Sequence, residues 1–310
     1  MSVSPATQSG TIDSDRLMRR ATYASVTVAT VLIVIKVVAW VLTGSISVLS
    51  SLLDSLLDAL ASLVNLFAVR HALTPADREH RFGHGKAEPL AGLAQAAFIA
   101  GSALLLLVEA IRRLGAPQPV EHGEVGIAVM AISIVLTVAL VAYQRHVVSR
   151  TGSVAISADR LHYAGDLLLN GSVIVSLVLS GWLGFGFADP LFGIAIGVYI
   201  LVSAFRIGRS SLDLLMDREL PDERRAEIRE IVLRHPGVRS MHDLRTRSSG
   251  LSVFIQFHVE LDADISLRRA HEISDAVEAD VLKAFPNAEV LIHQDPEGVE
   301  EPHHSFAARS

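Results

Sequence analysis

The sequence predicts an α-helical membrane protein with six transmembrane helices, followed by a small soluble α/β domain. Three observations carry this expectation. Half of the residues are hydrophobic and only 19% are charged, and the mean hydropathy is +0.42, values that suit a membrane protein rather than a soluble enzyme. Six runs of about 20 mostly apolar residues, enough to cross a hydrocarbon layer roughly 30 Å thick, lie before Ser211. From Asp213 onward the composition changes to that of a small soluble domain.

The apolar runs cover residues 21–42, 46–69, 90–114, 125–143, 161–183 and 190–207. Lipid offers no water to satisfy backbone groups, so runs this long, joined by irregular loops and lacking strand-like alternation, are expected as helices rather than barrel strands. Residues 1–15 are polar and contain Asp13 and Asp15. No small-residue cleavage site follows a short apolar core, so the first run is expected to stay as a membrane helix.

Lys and Arg set the orientation. Arg16, Arg19 and Arg20 precede the first span; Arg70, Arg78, Arg81 and Lys86 follow the second; Arg145, Arg150 and Arg160 surround the connection from the fourth to the fifth. The connections after the first and fifth spans, "TGS" and "GWLGFGFADP", contain none. The positive-inside rule then places both termini in the cytoplasm, with Arg112 and Arg113 running against the trend.

The soluble part reads as an αββαβ domain. Pro221 opens a helix in "LPDERRAEIREIVLRH", a hairpin pairs "VRSMHDLRTR" with "LSVFIQFHVEL" across Ser248-Ser249-Gly250, and a second helix over 267–285 stops before Pro286. The last strand is "AEVLIHQ". The domains are thus an N-terminal segment 1–20, a membrane domain 21–210, a cytoplasmic domain 211–296, and a loose tail 297–310 in which His303 and His304 are expected to face solvent.

Polar residues inside apolar spans point to chemistry. A carboxylate at the centre of a membrane helix costs roughly 2.5–3.5 kcal/mol, so Asp54 and Asp58 in "SLLDSLLDAL" together cost on the order of 5–7 kcal/mol. Their spacing of four puts both on one helical face, where they repel unless a proton or a cation sits between them. The fifth span repeats the spacing in "LHYAGDLLLNG", with His162 and Asp166 on one face. Three oxygens and one nitrogen around a point suit a tetrahedral divalent ion such as Zn²⁺, Fe²⁺ or Mn²⁺. The alternative is a polar seam between helices.

Two further groups have metal-binding chemistry. Asp77, His80 and His84 in the connection "PADREHRFGHGKAE" are expected to converge if that loop folds over; otherwise it is an ordinary hydrated loop. In the soluble domain His242, His258, His271, His293 and Asp295 are spread over both hairpin strands, the second helix and the last strand, a distribution that favours convergence on metal. The chain has no cysteine, which excludes disulfides and thiolate ligands.

The segments "SLLDSLLDALASLVNL", "HRFGHGKAEPLAGLAQ", "LHYAGDLLLNG", "SMHDLRTRSSG" and "VLIHQDP" resemble the cation diffusion facilitator family, in its bacterial zinc/ferrous-iron efflux branch. The resemblance runs from Arg20 to Pro296. It implies a homodimeric divalent metal/proton antiporter of the bacterial cytoplasmic (inner) membrane, with six membrane helices per protomer and a metallochaperone-like cytoplasmic domain. Its intramembrane transport site falls on Asp54, Asp58, His162 and Asp166. It also implies metal at the loop triad and in the cytoplasmic domain near a dimer interface.

Asp and His bind metal only when deprotonated, and imidazole changes charge near pH 6.5, so protons from a more acidic exterior are expected to expel the metal by alternating access. Zn²⁺, Fe²⁺, Cd²⁺, Mn²⁺ and Co²⁺ all suit these ligands as transported and regulatory ions. No nucleic-acid partner is expected. A metal-gated channel or a metal sensor is the rival function. An intramembrane aspartyl protease fits poorly, because Tyr163 occupies the first glycine position of G-x-G-D, and a zinc protease is disfavoured because His271 lacks a second His four residues on.

Overall fold

A computed structural model of the chain describes residues 5–44, 46–115, 124–183 and 188–299; His303 and His304 lie outside them. The chain divides into two compact units, Met1–Met216 and Asp217–Ser310.

Among the described residues, the regular elements of the first unit are all helices: α1 (Pro5–Thr43), α2 (Ile46–Ala72), α3 (Ala87–Gly115), α4 (Glu124–Thr151), α5 (Val154–Leu183) and α6 (Ala188–Leu215). Among the described residues, five segments are long and apolar enough to cross a membrane: Asp13–Thr43, Ser51–Ala72, Ala87–Leu114, Ala128–Thr151 and Pro190–Leu215. The 30-residue α5 is long enough as well, but carries Asp159, Arg160, His162 and Asp166 in its first half. Several helices outrun their apolar segments. α4 continues past Tyr143 through Gln144–Thr151, and α6 past Ile207 to Leu215, because the intrahelical hydrogen-bond ladder continues into polar sequence once started. Gly44 and Gly152, both with positive φ, stop α1 and α4; their N–H groups donate to Trp40 and Val148 carbonyls at 2.7 and 2.8 Å.

This unit is arranged for lipid. Leu42, Leu105, Val41 and Phe205 are 68–79% exposed, while Ser25, Ser62, Asn65, Gln95, Gln144 and Asp159 are buried. Small residues let the helices approach: on α6, Gly193 lies against Ala110 and Gly197 against Leu107 of α3. Arg112 and Arg113, the two exceptions to the charge trend, both pair with Glu109 at 2.9 Å on the same helix.

The second unit contains, in order, α7 (Asp222–Leu233), β1 (Ser240–Ser249), β2 (Ser252–Leu261), α8 (Leu267–Ala284) and β3 (Ala288–Pro296). The sheet order is β1-β2-β3, with β1 antiparallel and β3 parallel to β2. Parallel β2 and β3 require a crossover, which α8 supplies. Ile228 and Val232 of α7, Ile255, Phe257 and Val259 of β2, and Ile273, Val277 and Val281 of α8 form the core. Ser266 caps α8, its hydroxyl accepting from the Arg269 N–H at 3.3 Å.

Candidate metal centres

Between the membrane helices lies a cavity of about 390 Å³ whose polar lining includes Lys36, Asp54, Asp58, His162 and Asp166. The His162 Nε2 is 2.8 Å from Asp58 Oδ1 and 3.9 Å from Asp166 Oδ2. One donor atom from each of Asp58, His162 and Asp166 lies within 4.8 Å of the others. Two ligand atoms on one tetrahedral ion are separated by about 3.3 Å, given bonds near 2.0–2.2 Å, so small rotamer adjustments suffice for all three to share an ion.

Asp54 does not join this group. It lines the same cavity, but its carboxylate lies outside the set of Asp58, His162 and Asp166 whose ligand atoms are within 4.8 Å of one another.

The cavity is held in register by a buried polar network centred on Asp159, one turn before His162. Its Oδ2 accepts from Ser25 Oγ of α1 at 2.6 Å and from Gln144 Nε2 of α4 at 2.7 Å. Its Oδ1 accepts from Gln95 Nε2 of α3 at 3.2 Å and from Ser62 Oγ of α2 at 3.4 Å. Ser62 also bonds the Tyr163 hydroxyl at 2.8 Å, so α5 is tied to four neighbouring helices. Its N-terminus is fixed by buried Glu88, whose carboxylate accepts from the Val154 N–H at 3.0 Å.

Sequence reasoning missed Asp159 and Lys36. The ammonium of Lys36, buried in α1, donates to the Ser51 carbonyl at 3.0 Å and to Ser55 Oγ at 2.6 Å. The cost argument that singled out Asp54 applies equally to a lone lysine within "VLIVIKVVAW", so the signal was present. With His162 neutral, three carboxylates and one ammonium give the cavity lining a net charge of −2, matched by one divalent cation.

The loop between α2 and α3 gathers the second group. Asp77 Oδ1 accepts from the His80 and Glu79 N–H groups at 2.6 and 2.9 Å. These bonds, that from His80 first, hold its carboxyl below the usual carboxylate range. His84 Nε2 lies 3.4 Å from Asp77 Oδ2, and His80 Nδ1 3.5 Å from Asp77 Oδ1, close to the separation of ligands on one ion. His84 Nδ1 faces the Thr74 carbonyl at 3.3 Å. A carbonyl only accepts, so a proton on Nδ1 would satisfy it and leave Nε2 available to a cation placed between it and Asp77.

The third group follows from strand register. His242 on β1 pairs with His258 on β2, and His258 with His293 on β3, so three imidazoles stand in a row across the sheet. Asp295, 4% exposed, collects them: Oδ2 is 3.1 Å from His242 Nε2 and 2.9 Å from His258 Nδ1, and Oδ1 is 3.0 Å from His293 Nε2. His271 stays outside this cluster. The inward face of α8 is set by Ala270, Ile273, Ser274, Val277 and Val281, which leaves His271 turned away, its side chain 70% exposed and 3.6 Å from Asp275.

Comparison with known proteins covers nearly the whole chain. A family model described as the cation efflux transmembrane domain matches residues 22–216, and one described as the cation efflux protein cytoplasmic domain matches residues 220–297. The chain is similar to the cation-efflux pump FieF of Klebsiella pneumoniae subsp. pneumoniae, 51% identical over 284 residues, 92% of this chain and 94% of that protein. FieF of Serratia proteamaculans is 50% identical over 281 residues, 91% of this chain and 93% of that protein. Among solved structures, the metal-bound C-terminal domain of the CzcD transporter from Thermotoga maritima is 29% identical, covers 26% of this chain and all of that domain, with a TM-score of 0.25.

Proposed function

This chain is a member of the cation efflux, or cation diffusion facilitator, family, and from that membership we propose that it exports a divalent metal cation, Zn²⁺ or one of Fe²⁺, Cd²⁺, Mn²⁺ and Co²⁺, from the bacterial cytoplasm in exchange for protons. The observation that carries the reading is the cavity within the membrane helices where Asp58, His162 and Asp166 gather. Carboxylates inside a bundle repel and are costly unless a cation or protons occupy them. An emptied site with a net charge of −2 takes up protons, and a loaded one releases them, so metal and protons compete for the same atoms.

In this scheme Asp58, His162 and Asp166 hold the metal, and Asp54, on the wall of the same cavity, supplies the fourth ligand. Protons entering from the outer side displace the ion when the site opens there, and the site then returns to the cytoplasm. Six membrane helices with both termini cytoplasmic put the αββαβ domain on the loading side, in the inner membrane. A match to the family's cytoplasmic domain over 220–297 supports a homodimer. His242, His258, His293 and Asp295 there, and Asp77, His80 and His84 in the loop, take regulatory ions that favour the state they bind better.

A metal-gated channel with a sensing domain uses the same ligands, and flux distinguishes the two. In proteoliposomes with an imposed pH gradient and a panel of Zn²⁺, Fe²⁺, Cd²⁺, Mn²⁺ and Co²⁺, the carrier gives saturable metal movement that reverses when the proton gradient is reversed. Non-saturable flux indifferent to that gradient would establish the channel.

A further inference from the structure

Asp77, His80 and His84 supply three ligand atoms, whereas an ion of the zinc type takes four. We propose that His71, in the last turn of α2, is the fourth ligand of this loop site, so that a divalent ion there is held by three imidazoles and one carboxylate. The inference rests on the loop reading given under Proposed function.

The imidazole of His71 has its centroid 4.6 Å from that of His84, at an interplanar angle of 64°. On the other side His80 also stands 4.6 Å from His84. Two imidazoles bound to one tetrahedral ion, with metal–nitrogen bonds of about 2.0–2.1 Å, have centroids ~5 Å apart. The spacing of His71 from His84 is therefore close to that of rings sharing an ion, and a turn of the His71 side chain would bring its nitrogen to the set that Asp77, His80 and His84 already form within 4.8 Å. It also matches His242 to His258 at 5.1 Å and His258 to His293 at 4.5 Å in the cytoplasmic cluster. His71 and His80 are exposed, so no apolar core forces these rings together.

The neighbouring ligands are already oriented. Two backbone N–H groups fix the Asp77 carboxylate, and the Thr74 carbonyl turns His84 Nε2 toward it. His71 lies in α2, the helix that carries Asp58, and His84 lies three residues before α3. An ion held by all four residues joins the end of α2 to the start of α3. A closed four-ligand set leaves no position for water or for onward transfer, which makes this a retaining site rather than a transport step.

The test uses the full-length protein carrying Asp166→Ala and His258→Ala, which disable the other two clusters, loaded with Zn²⁺. Zinc X-ray absorption is expected to count three imidazoles and one oxygen. His71→Ala should reduce the count to two imidazoles and lower Zn²⁺ affinity by no less than the roughly 10–100-fold that loss of an outer-shell partner costs. His71→Cys should restore affinity and add a sulfur at about 2.3 Å, an unambiguous signal in a chain with no cysteine. Unchanged affinity in His71→Ala with two imidazoles in both proteins would overturn the inference. If Asp77→Ala and His80→Ala abolish binding while His71→Ala does not, the loop reading stands and this inference falls. If none of the three weakens binding, both fall.

Discussion

Two carboxylates about two turns apart on α5 should respond in opposite ways to removal, and the difference follows from their partners. Asp159 accepts hydrogen bonds at 2.6, 2.7, 3.2 and 3.4 Å from four residues on four other helices. Asp159→Ala strands those buried donors. Bonds to a charged acceptor contribute about 1.5–3 kcal/mol each when short, and breaking a buried charged network costs about 3–5 kcal/mol. At about 2–4 °C per kcal/mol for a unit of some 200 residues, the thermal midpoint of the detergent-solubilised protein should fall by roughly 10 °C. Asp159→Asn keeps one acceptor oxygen and should fall about half as far. Asp166 faces His162 and the other cavity carboxylates instead, so Asp166→Ala relieves repulsion and should leave the midpoint level or higher. The assay is thermal unfolding followed by fluorescence-detected size exclusion. A stable Asp159→Ala protein beside an unstable Asp166→Ala protein would refute the division between a structural and a functional carboxylate.

Other outcomes follow from the remaining groups. Lys36→Met should lower the KM for metal flux at least about tenfold and slow turnover, with Lys36→Arg near wild type, because charges sharing a cavity interact by several kcal/mol even at an effective dielectric near 20; an unchanged KM would remove Lys36 from the account. Zn²⁺ should draw spin labels on the two cytoplasmic domains of a dimer together, and Asp295→Ala, which takes away the shared partner of three imidazoles, should abolish the change. The Asp77 carboxyl is held below the usual range by the His80 and Glu79 N–H groups, so Asp77→Asn, which removes that charge, should weaken Zn²⁺ binding at the loop in a metal titration, and unchanged affinity would remove Asp77 from the site.

The helices were legible because lipid imposes a simple length rule, yet their ends were not: Gln144–Thr151 belongs to α4 although only Val147 and Val148 in it are apolar. Individual ligands were legible as polar residues in costly places. Their meeting depended on distances that spacing does not encode. The row of His242, His258 and His293 needed the pairing of three strands, which a sequence shows only as separate strands. The position of His271 could have been read, since Ala270, Ile273, Val277 and Val281 mark the inward stripe of α8 and exclude it. Asp159 was obscured because its partners Ser25, Ser62, Gln95 and Gln144 are ordinary polar residues scattered over four helices, each unremarked until packing brings them to one carboxylate.

The central claim, that the cavity carboxylates carry the metal, is tested most directly by Asp58→Ala in the full-length protein. Reconstituted into proteoliposomes and checked for elution at the wild-type position, this variant should be folded and inserted yet move no metal under a proton gradient that drives the wild type, since the loss removes a ligand and relieves a desolvation cost. Metal flux near the wild-type rate would show that the ion travels by another route.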